Sequence, residues 1–190
     1  MRIIAGTWRG RPLASVGKGD PGAHLRPTTD RVRESLFNML NGGRFGDPFG
    51  DAHVLDLFAG TGALGLEALS RGAHSAVFVD DGRKALTLIK ANIKTLGCEN
   101  TRVISRDATR LPVCDGTAAS LVFLDPPYGK SLGRAALTAA IKGGWIQDGA
   151  LIVWEESAPQ TAPVGFTKLD ARRYGDTHVT VLRFGDAENP

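Results

Sequence analysis

The chain reads as an α/β protein: a mostly parallel sheet of seven strands, helices on both faces and an antiparallel edge. Three observations predict this. Short apolar runs alternate with stretches of helical period between residues 54 and 155. One strand-to-helix junction carries the glycine turn Gly60-x-Gly62-x-x-Gly65. Two last strand-like runs meet at Gly175-Asp176, a connection too short for a crossover, so they pair antiparallel.

In chain order, Arg2–Ala5 and Arg11–Ser15 read as a short strand pair around Trp8-Arg9-Gly10. Thr28–Leu40 has helical period, with Val32, Leu36 and Leu40 on one face and Arg31, Glu34 and Asn38 off it. Pro27 and the two threonines mark its start. Strands are expected at 54–57, 76–79, 101–105, 121–124, 150–155, 166–173 and 178–184. Helices are expected at 63–70, 83–96 and 132–141. Gly42–Asp51 reads as a link between an N-terminal extension, 1–45, and a core, 46–190, within one compact domain.

Composition fits a single soluble enzyme domain. Of 190 residues, 42% are hydrophobic, ample for a core, yet no apolar run approaches the roughly 18 residues of a membrane span. The N-terminus lacks the pattern of a signal peptide, so a cytoplasmic location is expected. Cys98 and Cys114 stand alone, and His24, His53, His74 and His178 are scattered. None has metal-ligand spacing, and no metal is expected.

Charge is unevenly placed. The first 34 residues hold seven Lys and Arg against three Asp and Glu, so they carry +4 where the whole chain carries +3. Arg9, Arg11, Arg26, Arg31 and Arg33, with Trp8 among them, form a basic, aromatic-containing segment of the kind an RNA-binding role would need; a solvated surface is the other reading. Lys168, Arg172 and Arg173 add a second, weaker patch.

In such sheets ligands bind beyond the carboxyl ends of the strands. Asp56, Asp80, Asp107 and Asp125 each close or follow an expected strand, which places four carboxylates on one rim. In Asp56-Leu57-Phe58-Ala59-Gly60-Thr61-Gly62, glycines allow a tight turn and close approach to a cofactor. Asp80, at the end of the next strand, suits the hydroxyls of a ribose. This pattern also fits a nicotinamide dinucleotide. Asp56 favours S-adenosylmethionine (SAM) instead, because an acid there suits an ammonium and would repel a pyrophosphate.

The other motif is Asp125-Pro126-Pro127-Tyr128 after the apolar run 121–124. Asp125 offers an acceptor. The prolines donate no backbone hydrogen bonds and leave nearby carbonyls free to face a ligand. Tyr128 offers a flat face for a base. Together they suit a planar ring with an exocyclic amino group.

The pairing of these motifs resembles SAM-dependent amino-methyltransferases. Met1-Arg2-Ile3-Ile4-Ala5-Gly6-Thr7-Trp8-Arg9-Gly10-Arg11, the run from Leu25-Arg26-Pro27 to Phe37-Asn38, Asp56 to Ala68 and Arg173-Tyr174-Gly175 narrow it. They are similar to the bacterial 16S ribosomal RNA guanine-N2 methyltransferases of the RsmD type, from Met1 to about Phe184. Thr61 stands where Ser is as frequent and Asp80 where Glu is common; both keep the chemistry. Ser15–Ala23 carries no motif.

The resemblance implies a Rossmann-like methyltransferase fold. It also implies methyl transfer from SAM to N2 of an unpaired guanine, the family's guanine 966, leaving S-adenosylhomocysteine. Asp107 and Ala108 would address the adenine; Asp125, Pro126, Pro127 and Tyr128 would hold the target base. The partner would be 16S ribosomal RNA or a partly assembled small subunit, met by a monomer. Three alternatives stay open: the same chemistry on adenine N6, a nicotinamide-dependent oxidoreductase, and a non-catalytic RNA-binding module.

Overall fold

The computed structural model describes residues 1–15 and 30–185. Arg26 and the expected helix start at Thr28 lie outside them. The elements are α1 (Asp30–Leu40), β1 (His53–Leu57), α2 (Ala63–Ser70), β2 (Ser75–Asp80), α3 (Arg83–Leu96), β3 (Thr101–Ser105), β4 (Ala119–Leu124), α4 (Leu132–Lys142), β5 (Ile146–Glu156), β6 (Phe166–Tyr174) and β7 (Thr177–Phe184). A single 3-10 turn, Ala108–Arg110, follows β3.

The strands form one sheet in the order β3-β2-β1-β4-β5-β7-β6. The first five run parallel; β7 pairs antiparallel with both β5 and β6. Leu55, Leu57, Val79, Val122 and Leu124 pack on one face against Ala136, Leu137 and Ala140 of α4. Val54, Phe78, Phe123 and Val153 pack on the other, with Leu36 and Phe37 of α1, Leu66 of α2 and Ile89 of α3. Burial on both faces is why the central strands are apolar on both sides rather than alternating, with Asp56 of β1 the exception at the rim.

The N-terminal segment departs from expectation. Instead of two strands there is one bridge, Arg2 to Pro12, flanked by Ile3 N–H to the Arg11 carbonyl and Leu13 N–H to the Met1 carbonyl, both at 3.0 Å. Pro12 has no N–H to extend a ladder. Other arm donors go to side chains on the helices. Glu67 of α2 accepts from Ile4 and Ala5 N–H at 2.7 and 3.0 Å, and Asn92 of α3 accepts from Ala14 N–H at 2.7 Å. Ile3 and Leu13 are buried in the same core as the sheet.

The arm's tip sits at the ends of α2 and α3. Thr7 N–H donates to the Ser70 carbonyl at 2.8 Å, Trp8 N–H to Ser70 Oγ at 3.0 Å, and Arg11 Nη1 to the Thr95 carbonyl at 3.3 Å. Gly6 has φ +80°, and a Cβ there would lie 1.7 Å from the Ser70 carbonyl oxygen. In a parallel sheet each helix starts above the carboxyl ends of the strands and returns to their amino ends. Arg9 and Arg11, both exposed, therefore lie at the opposite end of the sheet from the expected site.

Arg33 corrects the sequence reading outright. It was expected on an RNA-facing surface but has no exposed area. The buried face of α1 is Arg33, Leu36, Phe37 and Leu40. The guanidinium donates to the Arg2 carbonyl and to Asp30 Oδ1, and lies 4.0 Å from Glu67 Oε2. It joins the arm, α1 and α2. Arg31, on the same helix, is exposed.

Candidate active site at the carboxyl rim of the sheet

The strand order reverses between β1 and β4, whose last residues, Leu57 and Leu124, lie opposite one another. Asp125 N–H donates to the Leu57 carbonyl at 3.4 Å. The glycine loop and the Asp-Pro-Pro-Tyr segment thus leave the sheet side by side at its topological switch point.

The loop is held in a tight, partly left-handed path. Gly60 and Gly62 have φ of +58° and +76°, and Phe58, which has a side chain, has φ +59°. A side-chain-bearing residue in that region costs about 1–2 kcal/mol. The surroundings hold it there: Ala59 N–H donates to the Val79 carbonyl at 3.0 Å and Gly62 N–H to the Ala59 carbonyl at 2.7 Å. Thr61 is buried, and its carbonyl accepts from Asn92 Nδ2 at 2.9 Å. Asn92 also takes Ala14 of the arm, so the arm and the loop share one anchor.

Gly65 lets α2 lie directly on the sheet. A Cβ there would be 2.6 Å from Phe78 Cε1 and 3.1 Å from Asp56 Oδ2. Its N–H donates to Asp56 Oδ2 at 2.9 Å. Asp56 is 1% exposed. Burial pushes its carboxyl well above the ordinary range, the Gly65 bond opposes this, and Asp125 and Asp80 push further up.

Asp80 ends β2 and bridges two turns: Oδ2 accepts from Gly60 N–H at 2.9 Å and Oδ1 from Gly82 N–H at 2.8 Å. Burial raises its pKa against those bonds. Asp107 is bonded locally, Oδ1 accepting from Thr109 N–H at 2.8 Å and from its hydroxyl at 2.7 Å. These bonds hold its pKa below the usual carboxylate range. Ala108 beside it is buried.

Asp125 is pushed up to about 7, first by burial and then by Glu156. Tyr128 Oη lies 3.1 Å from Thr177 Oγ1 at the start of β7, which fixes the ring from the far side. Gly129 N–H donates to Glu156 Oε1 at 3.3 Å. Sequence reasoning missed five residues here: Glu67, Asn92, Glu155, Glu156 and Thr177. Two of them left a signal. Glu67 is a lone acid inside the apolar run Leu64–Leu69, and Glu155 extends the apolar strand 150–154. Glu155 is 1% exposed, and its Oε1 has no hydrogen-bond partner among the described residues. Burial first, then Asp125 and Asp56, raise its pKa strongly.

The rim is therefore a cluster of carboxyls short of cations. A cationic ligand relieves that cluster; a pyrophosphate would meet it with like charge. SAM, which carries a sulfonium and an ammonium, fits. Among the described residues no group of three or more His, Cys, Asp or Glu is placed to hold a metal ion, and no helix is long and apolar enough to cross a membrane.

A family model described as "Conserved hypothetical protein 95" matches residues 1–183. The chain is 42% identical over 163 residues to the ribosomal RNA small subunit methyltransferase D of Escherichia coli K12, covering 86% of this chain and 78% of that one. It is 36% identical over 183 residues to the protein of the same name from Haemophilus influenzae, covering 92% and 89%. Among solved structures, one titled "Putative methyltransferase yhhF from Escherichia coli" superposes with a TM-score of 0.80 at 37% identity. That match covers 97% of this chain and 98% of the other.

Proposed function

The chain belongs to the RsmD-type family of SAM-dependent small-subunit ribosomal RNA methyltransferases, and we propose that it methylates the exocyclic N2 of one guanine in 16S ribosomal RNA, at the family's position 966. The observation that carries this is the adjacency, at the switch point, of the glycine loop and Asp125-Pro126-Pro127-Tyr128. Relatives named as ribosomal RNA small subunit methyltransferases match the chain over most of its length.

SAM, when bound, supplies a methyl group activated by positively charged sulfur. The chain's residues do the rest. Asp80 accepts hydrogen bonds from the ribose hydroxyls. Asp56 and the Phe58-Ala59-Gly60-Thr61-Gly62 loop line the methionine side. Asp107 and Ala108 flank the adenine. Guanine N2 is a weak nucleophile because its lone pair is delocalised into the ring. Asp125 and the Pro126 carbonyl accept hydrogen bonds from its two N–H groups, which localises the lone pair and aims it. Tyr128 stacks on the base, and Pro127 stiffens the segment. Once N2 has gained the methyl it becomes acidic, and the Asp125 carboxylate takes the proton. Positioning of this kind can supply about 7–11 kcal/mol of the barrier. The base leaves its stack to reach the pocket, at a cost of a few kcal/mol.

Incubation with labelled SAM and unmodified small-subunit ribosomal RNA or particles, followed by nucleoside analysis, tests the reading. N2-methylguanosine is the expected product. Label in N6-methyladenosine would move the chemistry to adenine, and no transfer to either substrate would sink the assignment. For the cofactor, Asp80→Ala is expected to weaken SAM and S-adenosylhomocysteine by about 1–3 kcal/mol, the loss of hydrogen bonds to a charged group. Calorimetric titration measures it. Unchanged affinity, or tight binding of NAD by the wild type, would overturn the placement.

A further inference from the structure

Along the outer edge of the sheet, the end of α1 and strand β6 border an open groove of about 530 Å³. Arg44, Arg172 and Arg173 line it with Asp170, Asn38 and Tyr174; three cations against one acid leave it at +2. Asp170 Oδ2 meets Arg44 Nη1 at 2.9 Å and Arg172 Nε at 3.1 Å. Asp170 is only 12% exposed, while the two arginine side chains are 56% and 54% exposed. Arg173 Nε donates to the Gly175 carbonyl at 2.8 Å.

The strand that lines the groove leads to the chemistry. β7 runs back from the rim, with His178 opposite Glu156 of β5, and β6 ends where β7 begins, with Tyr174 opposite Thr177. Thr177 Oγ1 is the group 3.1 Å from Tyr128 Oη. One turn, Gly175-Asp176, therefore separates the arginines from a strand that touches the catalytic tetrapeptide. Arg9 and Arg11 lie at the other end of the sheet.

We infer that this groove is the track for the RNA backbone flanking the target guanine; the inference rests on the proposed function. An open, positively charged channel beside an aromatic side chain is what a single strand requires. Arginine forks match phosphate oxygens, and forks already oriented by Asp170 and the Gly175 carbonyl lose less freedom on binding. The single acid is largely covered by the arginines it orients.

The test uses the full-length protein, unmodified small-subunit ribosomal RNA and a series of salt concentrations. Arg172→Ala with Arg173→Ala is expected to raise the RNA Kd about tenfold and to flatten the slope of log affinity against log salt by roughly one to two units. SAM affinity and turnover at saturating RNA should stay at the wild-type level. Arg9→Ala with Arg11→Ala is expected to change RNA affinity less. An unchanged Kd and slope in the groove variant would overturn the inference. So would loss only of binding to assembled particles, which would assign the groove to a protein surface. A parallel loss of SAM affinity would overturn it too, because the residues would then be supporting the fold. Wild-type protein that binds RNA without methylating it would sink the activity and leave the groove standing.

Discussion

Replacing Asp125 by alanine is expected to lower kcat by at least about a hundredfold while leaving SAM affinity close to wild type. The carboxylate sits at the switch point, and its bonds to the amino group strengthen as the methyl moves. Its pKa gives the effect a signature. In the free protein Asp125 is raised to about 7 by burial and Glu156. The carboxylate is the acceptor form, so kcat/KM should rise with pH through about 7 and level off above it. Asp125→Asn keeps a carbonyl acceptor without a titrating proton. It should retain more activity than alanine, and its profile should lose the limb near 7. Near wild-type turnover in Asp125→Ala at saturating substrate would remove the tetrapeptide from the chemistry. A limb unchanged in Asp125→Asn would assign the ionisation elsewhere.

Arg33→Ala should be the most destabilising single change among the residues discussed, at about 3–5 kcal/mol, the range for removing one partner of a buried ion pair. For a chain of this size that corresponds to a fall in Tm of roughly 6–20 °C. Arg33 has no exposed area and lies against Glu67, which is equally buried. Glu67 keeps the Ile4, Ala5 and Arg71 donors, and Glu155 has a raised pKa that favours its neutral form. Both soften the loss, so the lower half of the range is expected. Urea unfolding measures it, and Arg33→Met separates lost volume from lost charge. A change below about 1 kcal/mol in Arg33→Ala would mean that the acids around it do not need the cation.

The sheet was legible because its strands are buried on both faces. Ala76–Val79 and Leu121–Leu124 are unbroken apolar runs, Val54–Leu57 is broken only by Asp56, and their alternation with helical period allows few topologies. The rim followed, since Asp56, Asp80 and Asp125 close or follow strands whose parallel pairing puts their ends together. The surroundings of those residues were not legible. Val32 and Arg33 are neighbours on one helix, and hydropathy turns the valine inward and the arginine out. The fold buries Arg33 because Glu67, from a helix formed after β1, is placed beside it. The arm reads as a hairpin, yet Glu67, Ser70 and Asn92 take its donors, and Arg9 and Arg11 lie at the far end of the sheet. Local pattern encodes which apolar residues join the core. It does not encode which charge in one element meets which charge in another, because that depends on contacts distant in the chain.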